Sequence, residues 1–423
     1  MHYPWRALTA WKPFRLDALG LITLLGAEDI DQWVGRLVPS RWVEYMPLLG
    51  MYVIAAGRIQ RKAPSFILYN ISQGIYTTDC AAWFTRWVQC QNFQATRSIV
   101  YWEIGRKRRS QWVDHFIAAS VSSCIMGFLV LMNILSRDIY GLVNTLAIIT
   151  TIFTRAYVLS AHRNSIDRST PNFAPGNQTE KLIVITPDSK VVTMFIHKSS
   201  IVPLFIRNPT PSSTLVYKVS CWINWLAFGV HVVILGMASL PTQIYTVSVI
   251  IVSSILICVG FGCADMGRPQ PIVTKDGKTR GYICWIGSRL KATVFEWPSG
   301  LEFKRLDAHA GTAGGWKLWT DDCPRSDPDR LSTRRMDLYA WLDLTMEEEQ
   351  SLDKWDLLPQ KRGEDTSWSD EFKAKQALVK ARGLSMWTIK QSVDLALGDG
   401  TIMKSRLWAE YQHQGVISKT VEP

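Results

Sequence analysis

Long uncharged stretches dominate the middle of the chain. Residues 219–264 contain no Asp, Glu, Lys or Arg, and Pro241 lies near their midpoint. The apolar core of a bilayer is about 30 Å thick, and about 20 helical residues cross it. A run of 46 residues is therefore too long for one crossing. It has the right length for two helices that turn at Pro241 and Thr242.

A second pair of apolar segments precedes that run. Residues 116–135 and 139–154 are uncharged, and Ser136, Arg137 and Asp138 between them fit a tight turn. Arg155 interrupts the second segment, but its long side chain can reach the membrane surface while residues 156–159 extend the apolar stretch. The pattern predicts a polytopic α-helical membrane protein with four transmembrane helices in two hairpins, at residues 116–159 and 219–264.

Basic residues are concentrated on one side of these hairpins. Their helix flanks on that side carry Arg106, Lys107, Arg108, Arg109, Arg155, Arg163, Arg168, Arg207 and Lys218. The opposite side has Arg137 alone, next to Asp138. Cytosolic flanks of transmembrane helices are enriched in Lys and Arg. The charge pattern therefore predicts that residues 1–115, 160–218 and 265–423, and with them both termini, are cytosolic.

The first 115 residues are predicted to form a cytosolic or interfacial region with amphipathic helices. Residues 18–27 imitate a signal peptide, but cleavage there would contradict the charge pattern. Residues 45–57 are apolar but too few for a span, which favours a membrane-embedded or re-entrant helix over a fifth crossing. In residues 79–90, two Trp and a Phe follow one helical stripe. That stripe fits either a packed core or, slightly better, the membrane interface.

Two further segments have the composition of water-soluble structure. Residues 160–218 contain β-rich runs at 182–186 and 191–196 around a Pro-Asp turn, and residues 201–206 are a candidate third strand. We therefore expect a small β-element between the transmembrane hairpins. Residues 265–423 are predicted to be an α+β tail. Its expected features are a hairpin of strands 290–297 and 301–306, a capping box at Thr345–Glu348, and a helix capped by Ser369.

Charge and cysteine content narrow the classes of function. The tail carries 24 basic and 24 acidic residues, so the whole net charge of +11 belongs to residues 1–264. A basic membrane half fits contact with anionic lipid, for which Arg106, Lys107, Arg108 and Arg109 are the candidates. A neutral tail disfavours nucleic-acid binding. The eight Cys lack metal or disulfide spacing, so neither a metal nor a cofactor is expected.

Few residues suggest chemistry. His231 lies near the middle of the third predicted span, and Asp114 and His115 stand at the mouth of the first. Ionisable groups in a membrane are functional candidates by default. A single neutral His that bonds a neighbouring helix needs no function, and the lack of a second His at metal spacing or of an Asp or Glu within the spans favours that interpretation. Asn133 and Asn144 are expected to be hydrogen bonders between helices.

These observations favour a non-enzymatic, membrane-anchored organising or accessory protein. Its partners would be the lipid bilayer and proteins bound through the C-terminal tail. The alternative is a membrane-embedded enzyme that acts on a lipophilic substrate at the cytosolic interface and uses His231, or Asp114 and His115. A small transporter is a weaker alternative, because the predicted spans contain no carboxylate for ion coupling.

Overall fold

A computed structural model describes the fold. It covers residues 27–50, 58–93, 96, 98–105, 111–170, 179–263, 270–274, 277–296, 302–305, 316–319, 334–358 and 367–381. The helices are α1 (Ala27–Gly35), α2 (Ala82–Cys90), α3 (Gln111–Ser136), α4 (Ile139–Ser169), α5 (Thr214–Leu235), α6 (Leu240–Cys258), α7 (Arg334–Trp341), α8 (Met346–Lys354) and α9 (Ser367–Ala381). The strands are β1 (Ile67–Asn70), β2 (Ile75–Thr77), β3 (Ser98–Ile104), β4 (Thr179–Ile185), β5 (Val191–His197), β6 (Gln270–Thr274), β7 (Gly277–Ile286), β8 (Leu290–Glu296), β9 (Glu302–Arg305) and β10 (Trp316–Trp319).

Four helices, α3 to α6, are long and apolar enough to cross a membrane. This confirms the four apolar helices expected from the uncharged runs. The turn between α5 and α6 falls at residues 236–239, whereas the sequence placed it at Pro241. Pro241 instead occupies the first turn of α6, where its missing N–H removes no helical hydrogen bond. We call α3–α6 the helix bundle.

Eight strands form one mixed sheet in the order β2-β1-β4-β5-β3-β8-β7-β6. Its strands come from all three segments that flank the bundle helices. β3 precedes α3, β5 lies between α4 and α5, and β8 follows α6, yet β3 pairs with both β5 and β8. The β-element expected between the hairpins is therefore part of a larger sheet.

The predicted hairpin of the tail is wrong. Leu290–Glu296 pairs with β7 and β3, while Glu302–Arg305 pairs with β10 in a separate two-stranded sheet. The β4–β5 hairpin is confirmed, with its turn at residues 186–190. The candidate strand at 201–206 is a π-helix (Ile201–Ile206) that follows the short turn Lys198–Ser200. Pro203 lacks the N–H that a strand would need.

Alternate residues of the sheet enter two cores, as the two-residue period of a strand requires. On one face, Val100 and Trp102 of β3 pack with α2. On the other face, Ile99 and Tyr101 pack with α7, α8 and α9.

The Trp stripe of α2 belongs to the first of these cores. Trp83 and Trp87 are buried, with ring centroids 5.9 and 4.8 Å from that of Trp102. The preference for a lipid-facing stripe was wrong, because these rings fill protein interior.

Two local expectations concern the tail helices. The capping box is confirmed: Thr345 Oγ1 accepts from Glu348 N, and the Glu348 carboxylate accepts from Thr345 N. The last described helix begins at Ser367 rather than after Ser369.

Candidate functional site

His231 lies on α5 and links that helix to α4. Its Nδ1 is 2.6 Å from Asn144 Oδ1, and both side chains are buried. His231 Nδ1 donates if the amide oxygen faces it, and accepts if the amide is turned so that its nitrogen faces the ring. The predicted candidate is thus a hydrogen-bonded contact between two helices.

The contact with Asn144 is one step of a longer series along the same interface. Thr154 Oγ1 donates to Asn224 Oδ1 at 2.9 Å, and His162 Nε2 is 3.2 Å from Tyr217 Oη. The α5 members of these pairs, at positions 217, 224 and 231, are seven residues apart and share one helix face. We call the three pairs the polar ladder.

Asp114 and His115 occupy the first turns of α3. Asp114 Oδ1 is 3.4 Å from Arg41 Nε, and His115 Nδ1 is 2.9 Å from Tyr45 Oη. Both residues contact the loop that follows α1, which places them at the end of the bundle nearer the sheet.

The structure does not bring the predicted site residues together. Asn133, on α3, donates to Thr145 at 2.8 Å and therefore lies level with Asn144 and His231. Asp114 is 19 residues earlier on the same helix, which is about 28 Å at 1.5 Å per residue. Asp114 and His115 thus lie at the opposite end of the bundle from His231.

A buried charge cluster at the sheet end of the bundle was not predicted. Arg163 Nη1 bonds Glu44 Oε1 at 2.5 Å, and Arg163 Nε donates to Leu37 O at 2.8 Å. Ser40 N donates to the second carboxylate oxygen of Glu44 at 2.9 Å. Burial, followed by the Glu44 charge, raises the pKa of the neighbouring Tyr45.

Arg155 completes this cluster and corrects a prediction. It was expected to reach the membrane surface, but it is only 1 % exposed. Its Nη2 donates to the carbonyls of Glu44 and Met46, at 2.5 and 2.7 Å. The signal was present in the sequence, because Arg155 is the only charge in residues 139–159 and Glu44 borders an apolar run.

The loop at residues 40–50 enters the base of the bundle. Ser122 Oγ donates to Tyr45 O at 2.6 Å, and Leu49 N donates to Ser254 Oγ at 3.0 Å. Residues 45–50 form turns rather than the expected helix, and residues 51–57 lie outside the described residues. Because this loop is neither helix nor strand, other parts of the protein must satisfy its buried polar groups. Arg155, Ser122 and Ser254 do so here.

A small cavity adjoins the charge cluster. Its volume is about 20 Å³, and Ser40, Glu44, Arg155 and Arg163 contribute to its lining. That is room for about one water molecule. The cavity is therefore too small to hold a substrate much larger than water.

Comparisons of this chain with family models, with curated proteins and with solved structures give no match.

Asp138 lies at the end of the bundle away from the sheet, which we call the turn end because it holds the α3–α4 and α5–α6 turns. Its Oδ1 accepts from Gly141 N at 2.8 Å, and its Oδ2 accepts from Ser239 N at 2.7 Å and Thr242 Oγ1 at 3.1 Å. Burial works to raise the pKa of Asp138, but the hydrogen bonds from Ser239, Gly141 and Thr242 outweigh it and lower that pKa. One carboxylate thereby caps α4 and fixes the α5–α6 turn beside the α3–α4 turn.

The remaining candidates concern lipid and metal. Arg106, Lys107, Arg108 and Arg109 lie outside the described residues, so lipid contact there stays a prediction. Within the described part of the chain, no group of three His, Cys, Asp or Glu could hold a metal ion.

Proposed function

We propose that this protein is a multi-pass membrane protein whose four apolar helices cross the bilayer as two hairpins. It would hold one folded domain, made of the sheet and its helices, against the cytosolic face. We infer a non-enzymatic role as a membrane-anchored organising or accessory protein.

The main support for this proposal is that neighbouring strands of the sheet come from different segments of the chain. Adjacent strands β5, β3 and β8 come from the segments after α4, before α3 and after α6. Strands can pair only on one side of a membrane. The chain must therefore return to the same side after α4 and again after α6, which two hairpins achieve. The adjacent turns held by Asp138 support the same arrangement at the other end.

The surface of the bundle supports a bilayer as its surroundings. Side chains that are more than two-thirds exposed include Phe116, Phe153, Leu215, Trp222 and Leu226. A monomeric soluble protein rarely exposes so large an apolar patch, whereas lipid tails match it. The basic flanks at Arg155, Arg163, Arg168, Arg207 and Lys218 favour the cytosol for the sheet side.

The contacts of the candidate residues support an anchor over a membrane enzyme. His231 bonds Asn144, His115 bonds Tyr45, and Asp114 pairs with Arg41. His231 thus joins two helices, while Asp114 and His115 join α3 to the loop at 40–50 at the other end of the bundle. Protein partners would bind through the tail, whose helices α7–α9 cover the face of the sheet opposite α2.

Cysteine labelling tests the topology. Ser136→Cys probes the α3–α4 turn, and Asp188→Cys probes the exposed β4–β5 turn, each compared with the unmodified chain to subtract native cysteines. A membrane-impermeant maleimide added outside intact cells or sealed right-side-out vesicles should modify the first variant. The second should react only after permeabilisation. Labelling of Asp188→Cys alone in sealed vesicles would contradict the cytosolic orientation, and equal labelling of both variants would contradict the two-hairpin proposal.

A further inference from the structure

Four uncharged, buried polar side chains in the helix bundle each have an atom without a hydrogen-bond partner. Asn144, Asn224 and Ser253 are 0 % exposed and Thr246 is 2 % exposed. The atoms concerned are the Nδ2 of both Asn, the Oγ1 of Thr246 and the Oγ of Ser253. Buried polar atoms are nearly always satisfied in native proteins, by protein or by ordered water.

The two Asn side chains are each half satisfied by the polar ladder. One polar atom of Asn144 bonds His231, and one of Asn224 bonds Thr154. Whichever way each amide is turned, its second polar atom is left over. The same chemistry therefore occurs twice along the interface between α4 and α5.

The unsatisfied atoms fall on two levels. The first level is close to the α5–α6 turn. His231, the partner of Asn144, is five residues before Gly236, which is about 8 Å along α5. Thr246 is seven residues after Ser239, which is about 11 Å along α6. The second level is farther from that turn. Asn224 is 12 residues from it, or about 18 Å along α5, and Ser253 is 14 residues from it, or about 21 Å along α6. Each level thus combines one amide with one hydroxyl from α6.

We propose that the helix bundle binds water at two buried sites, one shared by Asn144 and Thr246 and the other by Asn224 and Ser253. The free groups are amides and hydroxyls without net charge, which fits a neutral ligand that both donates and accepts. Water satisfies such groups in protein interiors by bonding about three of them at once. Surrounding lipid cannot, because its tails offer no partner.

The sheet provides a matched control. Thr193 on β5 is 1 % exposed, and its Oγ1 also has no hydrogen-bond partner. Its neighbours on the adjacent strands are Ile99 and Ile183. Because these two neighbours are apolar, we expect no bridging water at Thr193.

Thermal unfolding of the full-length protein, in detergent or nanodiscs, tests the proposal. What decides is whether removal of a hydroxyl lowers or raises the unfolding midpoint. Thr246→Val and Ser253→Ala remove a hydroxyl with little change in shape. If water bridges the hydroxyl to an amide, each variant should lower the thermal midpoint by about 2–4 °C. Thr193→Val should leave the midpoint unchanged or raise it, because deleting an unsatisfied buried hydroxyl removes a cost.

A double-mutant cycle tests whether the two groups share one ligand. Thr246→Val combined with Asn144→Leu should lower the midpoint by less than the sum of the single changes, because the second substitution has no bridge left to break. If the Asn144→Leu variant does not fold, the direction of the midpoint shifts in Thr246→Val and Ser253→Ala alone tests the proposal. Unchanged or higher midpoints for both hydroxyl variants, or strict additivity in the cycle, would overturn the proposal.

Discussion

At the scale of single residues, the polar groups of the bundle act mainly as contacts between helices. His231 and Asn144 join α5 to α4, and Asn133 donates to Thr145 across the α3–α4 interface. Asp138 accepts hydrogen bonds from the first turns of both α4 and α6. Such bonds are each modest, at about 0.6 kcal/mol on average in a membrane protein, but they select which helix faces meet.

His231→Gln separates the structural role of this residue from a catalytic one. Gln can donate one hydrogen bond to Asn144, so we expect a stability loss of about 1 kcal/mol or less. The variant should restore function in cells that lack the protein, at normal abundance. A general acid or base would instead lose on the order of a hundredfold in rate, since Gln transfers no proton. Loss of function with normal abundance and insertion would favour the enzyme alternative.

At the scale of elements, α4 connects the bundle to the sheet. Its 31 residues span about 46 Å, which is longer than a bilayer core. The part of α4 nearer the turn end of the bundle carries Asn144 and Thr154, while the part nearer the sheet binds the loop at 40–50 through Arg155 and Arg163. Near its end, Asp167 accepts from the backbone of Ser288 and Arg289 in the β7–β8 turn.

Arg155→Met should weaken this connection. The substitution keeps the apolar length of the side chain but leaves the carbonyls of Glu44 and Met46 without their donor, and each such buried group costs about 1–3 kcal/mol. We expect a clear fall in the unfolding midpoint, with earlier proteolysis in the loop at 40–50. Arg168→Met, at an exposed position on the same helix, is the control and should unfold like the unmodified protein. Equal midpoints for both variants would contradict the role given to Arg155.

At the scale of the whole molecule, the eight-stranded sheet is complete only when three distant parts of the chain meet. β8 lies between β3 and β7, so the tail supplies an interior strand of the sheet. Lys181 reinforces this closure, because its Nζ contacts both Glu348 and the carbonyl of Asp343 at 2.8 Å. The tail is thus part of the same folded domain as the segments that precede it.

Ending the chain after residue 264 should therefore unfold the sheet core while the bundle still inserts. Cys80 reports on this core, because it is fully buried and burial raises the pKa of its thiol to about 12. At pH 8 an alkylating reagent should not modify Cys80 in the full-length protein, but should modify it in the shortened one. Mass spectrometry of the peptide measures the difference, and denatured protein gives the value for complete reaction. Equal protection in both forms would show that residues 1–264 fold without the tail.

The elements with local signals were predictable from the sequence. Apolar length specified α3 to α6, a Pro-Asp turn between β-rich runs marked β4 and β5, and Thr345 with Glu348 marked the start of α8. The helical stripe of Trp83 and Trp87 was also visible, but not what it packs against. Periodicity reports that one face is apolar and does not distinguish lipid from a protein core.

The sequence by itself determined the number of apolar helices and their approximate positions, because bilayer thickness and helical rise set a minimum apolar length. Their exact bounds differ, since α4 continues to Ser169 and the α5–α6 turn precedes Pro241. Tertiary structure alone decided which strands are neighbours, since β3 and β8 pair across almost 200 residues and pairing depends on partners that no local pattern names. It also decided the environment of Arg155, whose cost of burial is met by carbonyls more than 100 residues away in the chain. Contacts of that kind arise only when the whole chain has folded, because desolvation and hydrogen bonding are properties of the assembled surroundings.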